Sequence, residues 1–99
     1  MWVLALASGA LCAAAGPASH TVNIDAVAYV PETLTVHQGD AVTWVNKDPF
    51  PHTVTAHGSF DSHGIAANAP RGDSWRRKTG VYDYICTLHP NMKGTLKVE

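Results

Sequence analysis

The stretch Cys86-Thr87-Leu88-His89-Pro90-Asn91-Met92 sets a thiol, an imidazole and a thioether at three-residue intervals. All three are soft or borderline donors, and a segment this short turns them toward one point only where the chain folds back on itself. A second imidazole is available at His52, in Pro49-Phe50-Pro51-His52-Thr53-Val54, where two prolines fix the backbone just ahead of it. Two nitrogens, one thiolate and a weak thioether form the donor set of a blue-copper electron-transfer site, with two His and one Cys in a trigonal arrangement and a long axial Met. Zinc more often takes further thiolates or a carboxylate. Such a set serves both oxidation states of copper with little rearrangement, which favours outer-sphere electron transfer. Four protein ligands leave no open coordination position, so catalysis is not expected.

The other chemistry-bearing residues are less organised. His20, His37, His57 and His63 have no partner spacing and read as surface histidines. The two cysteines are Cys12 and Cys86. Residues 1–15 carry no charge and run through Trp2-Val3-Leu4-Ala5-Leu6-Ala7, too short an apolar segment for the ~20 residues of a spanning helix. Small residues follow at Ala13-Ala14-Ala15 and Gly16-Pro17-Ala18, so residues 1–18 read as a signal peptide, although a positively charged start is missing. Removing it leaves Cys86 as a lone thiol in an oxidising compartment, where a thiol is expected to be paired, reactive or occupied. Residues 19–99 then form the mature domain.

The elements that must position the donors have a period of two: Val22-x-Ile24, Leu34-x-Val36, Val42-x-Trp44, Tyr82-x-Tyr84 and Leu96-x-Val98. Turn signals stand between them at Pro31-Glu32, Gln38-Gly39-Asp40, Lys47-Asp48-Pro49, His57-Gly58-Ser59, Pro70-Arg71-Gly72-Asp73, Thr79-Gly80 and Lys93-Gly94. The fold expected is all-β, a small antiparallel Greek-key β-sandwich of about seven or eight strands. Gly80-Val81-Tyr82-Asp83-Tyr84 has the form of a tyrosine corner, and its alternation carries Cys86 to the inward face.

The chain has 99 residues, a net charge of −1 and 15% charged residues, enough for one domain and without the basic footprint that nucleic-acid binding requires. A core this small ordinarily needs a staple, and with no disulfide available a metal is the staple left. Arg76-Arg77-Lys78 places cations where a strand would turn one of them inward, and it reads as a solvated edge.

The whole mature chain resembles the cupredoxins, the type 1 blue-copper family that includes amicyanin, plastocyanin and pseudoazurin. The resemblance rests on Tyr29-x-Pro31, Gly39-Asp40-x-Val42-x-Trp44-x-Asn46, Pro51-His52-x-Val54 and Gly80-x-Tyr82-x-Tyr84-x-Cys86-x-x-His89-Pro90-x-Met92-x-Gly94. The short ligand loop is similar to that of amicyanin. The resemblance implies a periplasmic or otherwise exported, monomeric carrier of single electrons, shuttling between a redox donor and an acceptor with one copper ion. It implies that His52 and His89 ligate through Nδ1, Cys86 through a short sulfur bond and Met92 axially. Thr53, Thr87, Pro51 and Pro90 would support these ligands, and Phe50, Pro51, His89, Pro90 and Asn91 would frame the partner-docking edge. Thr53 stands where relatives carry Asn, and Ile85 where plastocyanin has a surface Tyr. A copper carrier or storage module using the same ligands is the alternative.

Overall fold

A computed structural model describes residues 16–74 and 78–99. Residues 1–15 of the segment expected to be a signal peptide, and Trp75, Arg76 and Arg77, lie outside the described residues. Among the described residues nine strands run in chain order: β1 (Ser19–Ile24), β2 (Tyr29–Val30), β3 (Thr33–Val36), β4 (Ala41–Asn46), β5 (Thr55–Ala56), β6 (Phe60–Asp61), β7 (Pro70–Ser74), β8 (Gly80–Cys86) and β9 (His89–Val98). They form a four-stranded sheet, β2-β1-β4-β7, and a five-stranded sheet, β3-β9-β8-β5-β6. The fold is the all-β sandwich expected. Its strand count exceeds seven or eight because β2, β5 and β6 are two-residue strands.

The period-two pattern explains the interior. Val22, Ile24, Val36, Val42, Trp44, Tyr84, Leu96 and Val98 all point inward and are buried, and Cys86 continues the inward row begun at Tyr82 and Tyr84. Burial of such side chains is the main stabilising term of a domain this size. Tyr82 completes its corner by donating its hydroxyl to the Lys78 carbonyl at 2.6 Å.

Three expectations are corrected. The sandwich is not antiparallel throughout, since β1 pairs in parallel with β4 and β3 with β9. The chain leaves the first sheet after β2, contributes β3 to the second and returns as β4, and a crossover of this kind brings strands back in the same direction. Pro70-Arg71-Gly72-Asp73 is not a turn but most of β7, an edge strand antiparallel to β4. Pro70 is its first residue, a position where the missing N–H is tolerated. Lys93-Gly94 lies inside β9 opposite Ile85 and Tyr84. There the glycine is required by contact: a Cβ on Gly94 would overlap Cζ of the Tyr84 ring.

A buried carboxylate ties down the start of the domain. Asp40 accepts from the amides of Ala18 and His37 and from His20 Nε2, each at 2.9 Å. His20 is therefore half-buried and paired, while His37, His57 and His63 are exposed as expected.

Two predictions follow from this packing. Gly94→Ala should lose about 2 kcal/mol and about 10 °C of thermal midpoint, read by calorimetry, because the added methyl meets the Tyr84 ring. The Asp40 carboxyl is held down at about 2, against an ordinary 3.8, by the His37 amide, the Ala18 amide and His20. A depressed carboxyl stabilises the fold above its unfolded pKa and loses that contribution as it protonates. In a chain that retains Ala18, the stability gap between wild type and Asp40→Asn, measured by urea unfolding, should be constant above about pH 5 and close as pH falls from about 4 toward 2.

Candidate metal centre

The centre is built at one end of the sandwich from two segments. The first is the connection between β4 and β5, which carries His52. Asn46, fully buried at the end of β4, organises it: Nδ2 donates to the carbonyls of Phe50 at 2.9 Å and Ile65 at 3.0 Å, and Oδ1 accepts from the Asp48 amide at 3.0 Å. A two-way backbone bridge between His52 and Ile65 then fixes the position of His52 itself. The second segment is the turn from β8 to β9, in which Cys86 pairs with His89 across Thr87-Leu88 and the register shifts between Ile85 and Cys86. This bulge tightens the turn so that His89 comes back over the sulfur.

His52 is fully buried, and its Nε2 lies 2.7 Å from Asp48 Oδ2. An ionised carboxylate only accepts, so Nε2 carries the proton and Nδ1 of the neutral ring presents a lone pair. Nδ1 is the atom that faces the thiol, 3.5 Å from Cys86 Sγ. Asp48 is held in turn by the amides of Ala26 at 2.8 Å and Val27 at 2.9 Å. Burial pushes the Asp48 carboxyl up, but the Val27 amide, His52 and the Ala26 amide together outweigh it and hold the carboxyl below its ordinary value.

Ala26 and Val27 have φ of 51° and 59°, and Asp25 and Ala28 exchange both backbone hydrogen bonds around them. This is a two-residue hairpin turn with both central residues left-handed, a conformation usually given to Asn-Gly. An alanine and a β-branched valine are strained there, and the two charge-assisted bonds to Asp48 offset that strain.

On the other side, His89 Nδ1 lies 3.8 Å from Cys86 Sγ, and the His52 and His89 rings are 4.9 Å apart. The ligand atoms of His52, Cys86 and His89 all fall within 4.8 Å of one another. A metal bonded to sulfur at about 2.3 Å and to nitrogen at about 2.0 Å, at a trigonal angle, separates the two donors by roughly 3.7 Å. The observed 3.5 and 3.8 Å bracket that value. The thiolate and imidazoles therefore fit one soft metal ion, and copper suits this set. Cys86 is fully buried and accepts the Thr53 amide at 3.3 Å, so negative charge on the sulfur has a donor already in place. Met92 is buried three residues beyond His89, and the two line one cavity with Val27, Leu88, Pro90 and Asn91.

His52, Cys86 and His89, marked in the sequence, are brought together, whereas Asp48 is not marked there, because its other side-chain partners lie in the distant β1–β2 turn. Its one local sign is a carboxylate four residues before His52 in a turn. Leu88 and Val27, both exposed, widen the apolar rim beyond Phe50, Pro51, Pro90 and Asn91. Phe50 packs edge-on against the His52 ring at 5.2 Å and at a tilt against the His89 ring at 5.6 Å.

The chain belongs to the cupredoxin-like domain family, which it matches over residues 1–98. Among individual relatives, it is 35% identical to amicyanin-alpha of Methylorubrum extorquens, over 96% of this chain and 86% of that one. It is 35% identical to plastocyanin of Scenedesmus fuscus over 75% of this chain and 89% of that one. With amicyanin of Paracoccus versutus it shares 32% identity over 79% of its length, and spans 63% of that protein. Solved structures agree: an oxidized mutant amicyanin superimposes with a TM-score of 0.76 at 30% identity, covering 82% of each chain. A Cu(I) form of another amicyanin mutant gives 0.76 at 29% identity, again over 82% of each chain.

Because Asp48 both orients His52 and holds the β1–β2 turn, Asp48→Ala should weaken copper binding about 10- to 100-fold, measured by competition with a chromophoric chelator.

Proposed function

We propose that this protein is an exported type 1 blue-copper protein that carries single electrons between redox partners. Copper would be held by His52 Nδ1, Cys86 Sγ and His89 Nδ1, with the Met92 thioether as its fourth donor. The observation that carries this reading is the convergence of the two imidazole nitrogens on the buried thiol, within 4.8 Å. When bound, copper supplies a one-electron Cu(I)/Cu(II) couple.

The chain's own residues prepare the site for that couple. Asp48 fixes the tautomer and orientation of His52, so this ligand has little freedom to move between oxidation states. The Thr53 amide stabilises charge on the thiolate and thereby tunes the potential. Thr87, anchored to Thr53, holds the turn on which Cys86 and His89 sit, and Pro51 and Pro90 stiffen the chain beside each imidazole. With four protein ligands no position is left for substrate, and the protein is not an enzyme.

His89 is the ligand at the solvent edge. Around it Phe50, Pro51, Leu88, Pro90, Asn91 and Val27 present an exposed, uncharged rim that suits brief docking of a donor and then an acceptor protein. The partners are redox proteins rather than nucleic acid, and the carrier works as a monomer. No helix among the described residues is long and apolar enough to cross a membrane. Export, to the periplasm or an equivalent compartment, rests on the uncharged, small-residue-terminated segment 1–18.

The test is the absorption and EPR spectrum of the copper-loaded protein. The expected result is an intense thiolate-to-copper visible band with rapid electron self-exchange, both abolished by Cys86→Ser. Surrender of the metal to a chelator within minutes, with sluggish redox cycling, would instead favour a copper carrier or storage module.

A further inference from the structure

Behind the ligand turn runs a line of hydroxyls that ends on a carboxylate at the far edge of the second sheet. Thr87 N donates to Thr53 Oγ1 at 2.9 Å, and Thr87 Oγ1 lies 3.2 Å from the same atom. Thr53 Oγ1 is 3.0 Å from Thr55 Oγ1, which donates to Asp61 Oδ1 at 3.0 Å. Thr53 and Thr55 are buried, while the Asp61 side chain on β6 is 46% exposed.

A hydroxyl has one proton to give, and that fact sets the direction of the whole line. The His63 amide and the Thr55 hydroxyl hold the Asp61 carboxyl below its ordinary value, so it is ionised and only accepts. Thr55 must spend its proton on Asp61 and can only accept from Thr53. Thr53 must then spend its proton on Thr55, which leaves its lone pairs for the Thr87 amide and the Thr87 hydroxyl. Without Asp61 the protons are free to reverse: Thr53 Oγ1 still accepts the Thr87 amide, but its hydroxyl proton can swing from Thr55 to Thr87 Oγ1, and the side chain that receives the amide is no longer held in one orientation.

We propose that Asp61, through Thr55 and Thr53, is a positioning residue for the Cys86–His89 turn: a one-way hydroxyl relay that orders Thr87 and so the sulfur beside it. The proposal rests on the metal-site reading for its functional meaning, but none of the relay's bonds involves a ligand atom of that site. The relay also accounts for how a residue as short as Thr53 can hold the turn. Its short side chain reaches Thr87 because a second threonine holds it from behind.

The experiment follows the Thr87 amide by hydrogen exchange and the Cys86 ¹³Cβ shift by NMR in copper-free wild type, Thr55→Val, Thr55→Ser and Asp61→Asn. Thr55→Val should speed Thr87 exchange about 5- to 10-fold, the loss of roughly one hydrogen bond, and move the Cys86 shift. Thr55→Ser should restore both. Asp61→Asn, on an exposed edge and not at risk of unfolding the domain, should change them in the same direction by less. Wild-type values in Thr55→Val and Asp61→Asn would overturn the proposal, as would faster exchange with an unmoved Cys86 shift, which would leave a purely structural tie. In the copper-loaded forms Thr55→Val should alter the copper hyperfine splitting and Thr55→Ser recover it. A wild type that fails to turn blue would sink the electron-carrier reading, and the copper-free measurements would still decide the relay.

Discussion

One buried carboxylate links the two things this site needs. Asp48 receives the Ala26 and Val27 amides on one side and His52 Nε2 on the other. A carboxylate out of water must find donors for its lone pairs, and here the donors come from a strained hairpin turn and from a metal-binding imidazole. The β1–β2 turn, the β4–β5 connection and the orientation of His52 therefore stand or fall together. That single set of bonds determines which ring nitrogen of His52 faces Cys86.

Cys86 imposes the complementary requirement. Its sulfur is fully enclosed and lies among His52 Nδ1, His89 Nδ1 and the Thr53 amide. The bulge between Ile85 and Cys86 folds His89 onto it, and Asn46 holds the His52 segment from below. The ligands are thus fixed by backbone pairing and buried hydrogen bonds rather than by the metal alone. A site held this way changes little when the charge on its ion changes, which is the requirement for fast electron transfer. The aromatic floor beneath, with Tyr29 and Tyr84 ring to ring at 4.7 Å and Trp44 bonded to the Tyr84 hydroxyl, gives that frame its rigidity.

Readings that depended on neighbours in the chain were legible in the sequence, and those that depended on neighbours across the sheets were not. Gly94 illustrates the difference. Beside Lys93 it has the local form of a turn, yet it lies in β9 because the Tyr84 ring occupies the space a side chain would need. Pro70 to Asp73 likewise has turn composition but serves as an edge strand, since β4 offers it a partner. The β1–β2 hairpin went unmarked because Ala26-Val27 carries no turn signal, its left-handed backbone being held by a carboxylate from another segment.

The sequence by itself determined the identity and order of the donors. Three sit within one turn of chain, where spacing alone limits how far apart they can be, and the fourth is marked by the prolines before it. It also determined the strands that carry them, because a period of two has one consistent burial. Only the tertiary structure decided that His52 presents Nδ1, that Asp48 is its partner, that two strand pairs run parallel, and that Thr53 is backed by Thr55 and Asp61. Each of these is a contact between segments distant along the chain. Hydrogen-bond direction and ring orientation are set by which groups meet in space, and no local pattern of residues encodes that meeting.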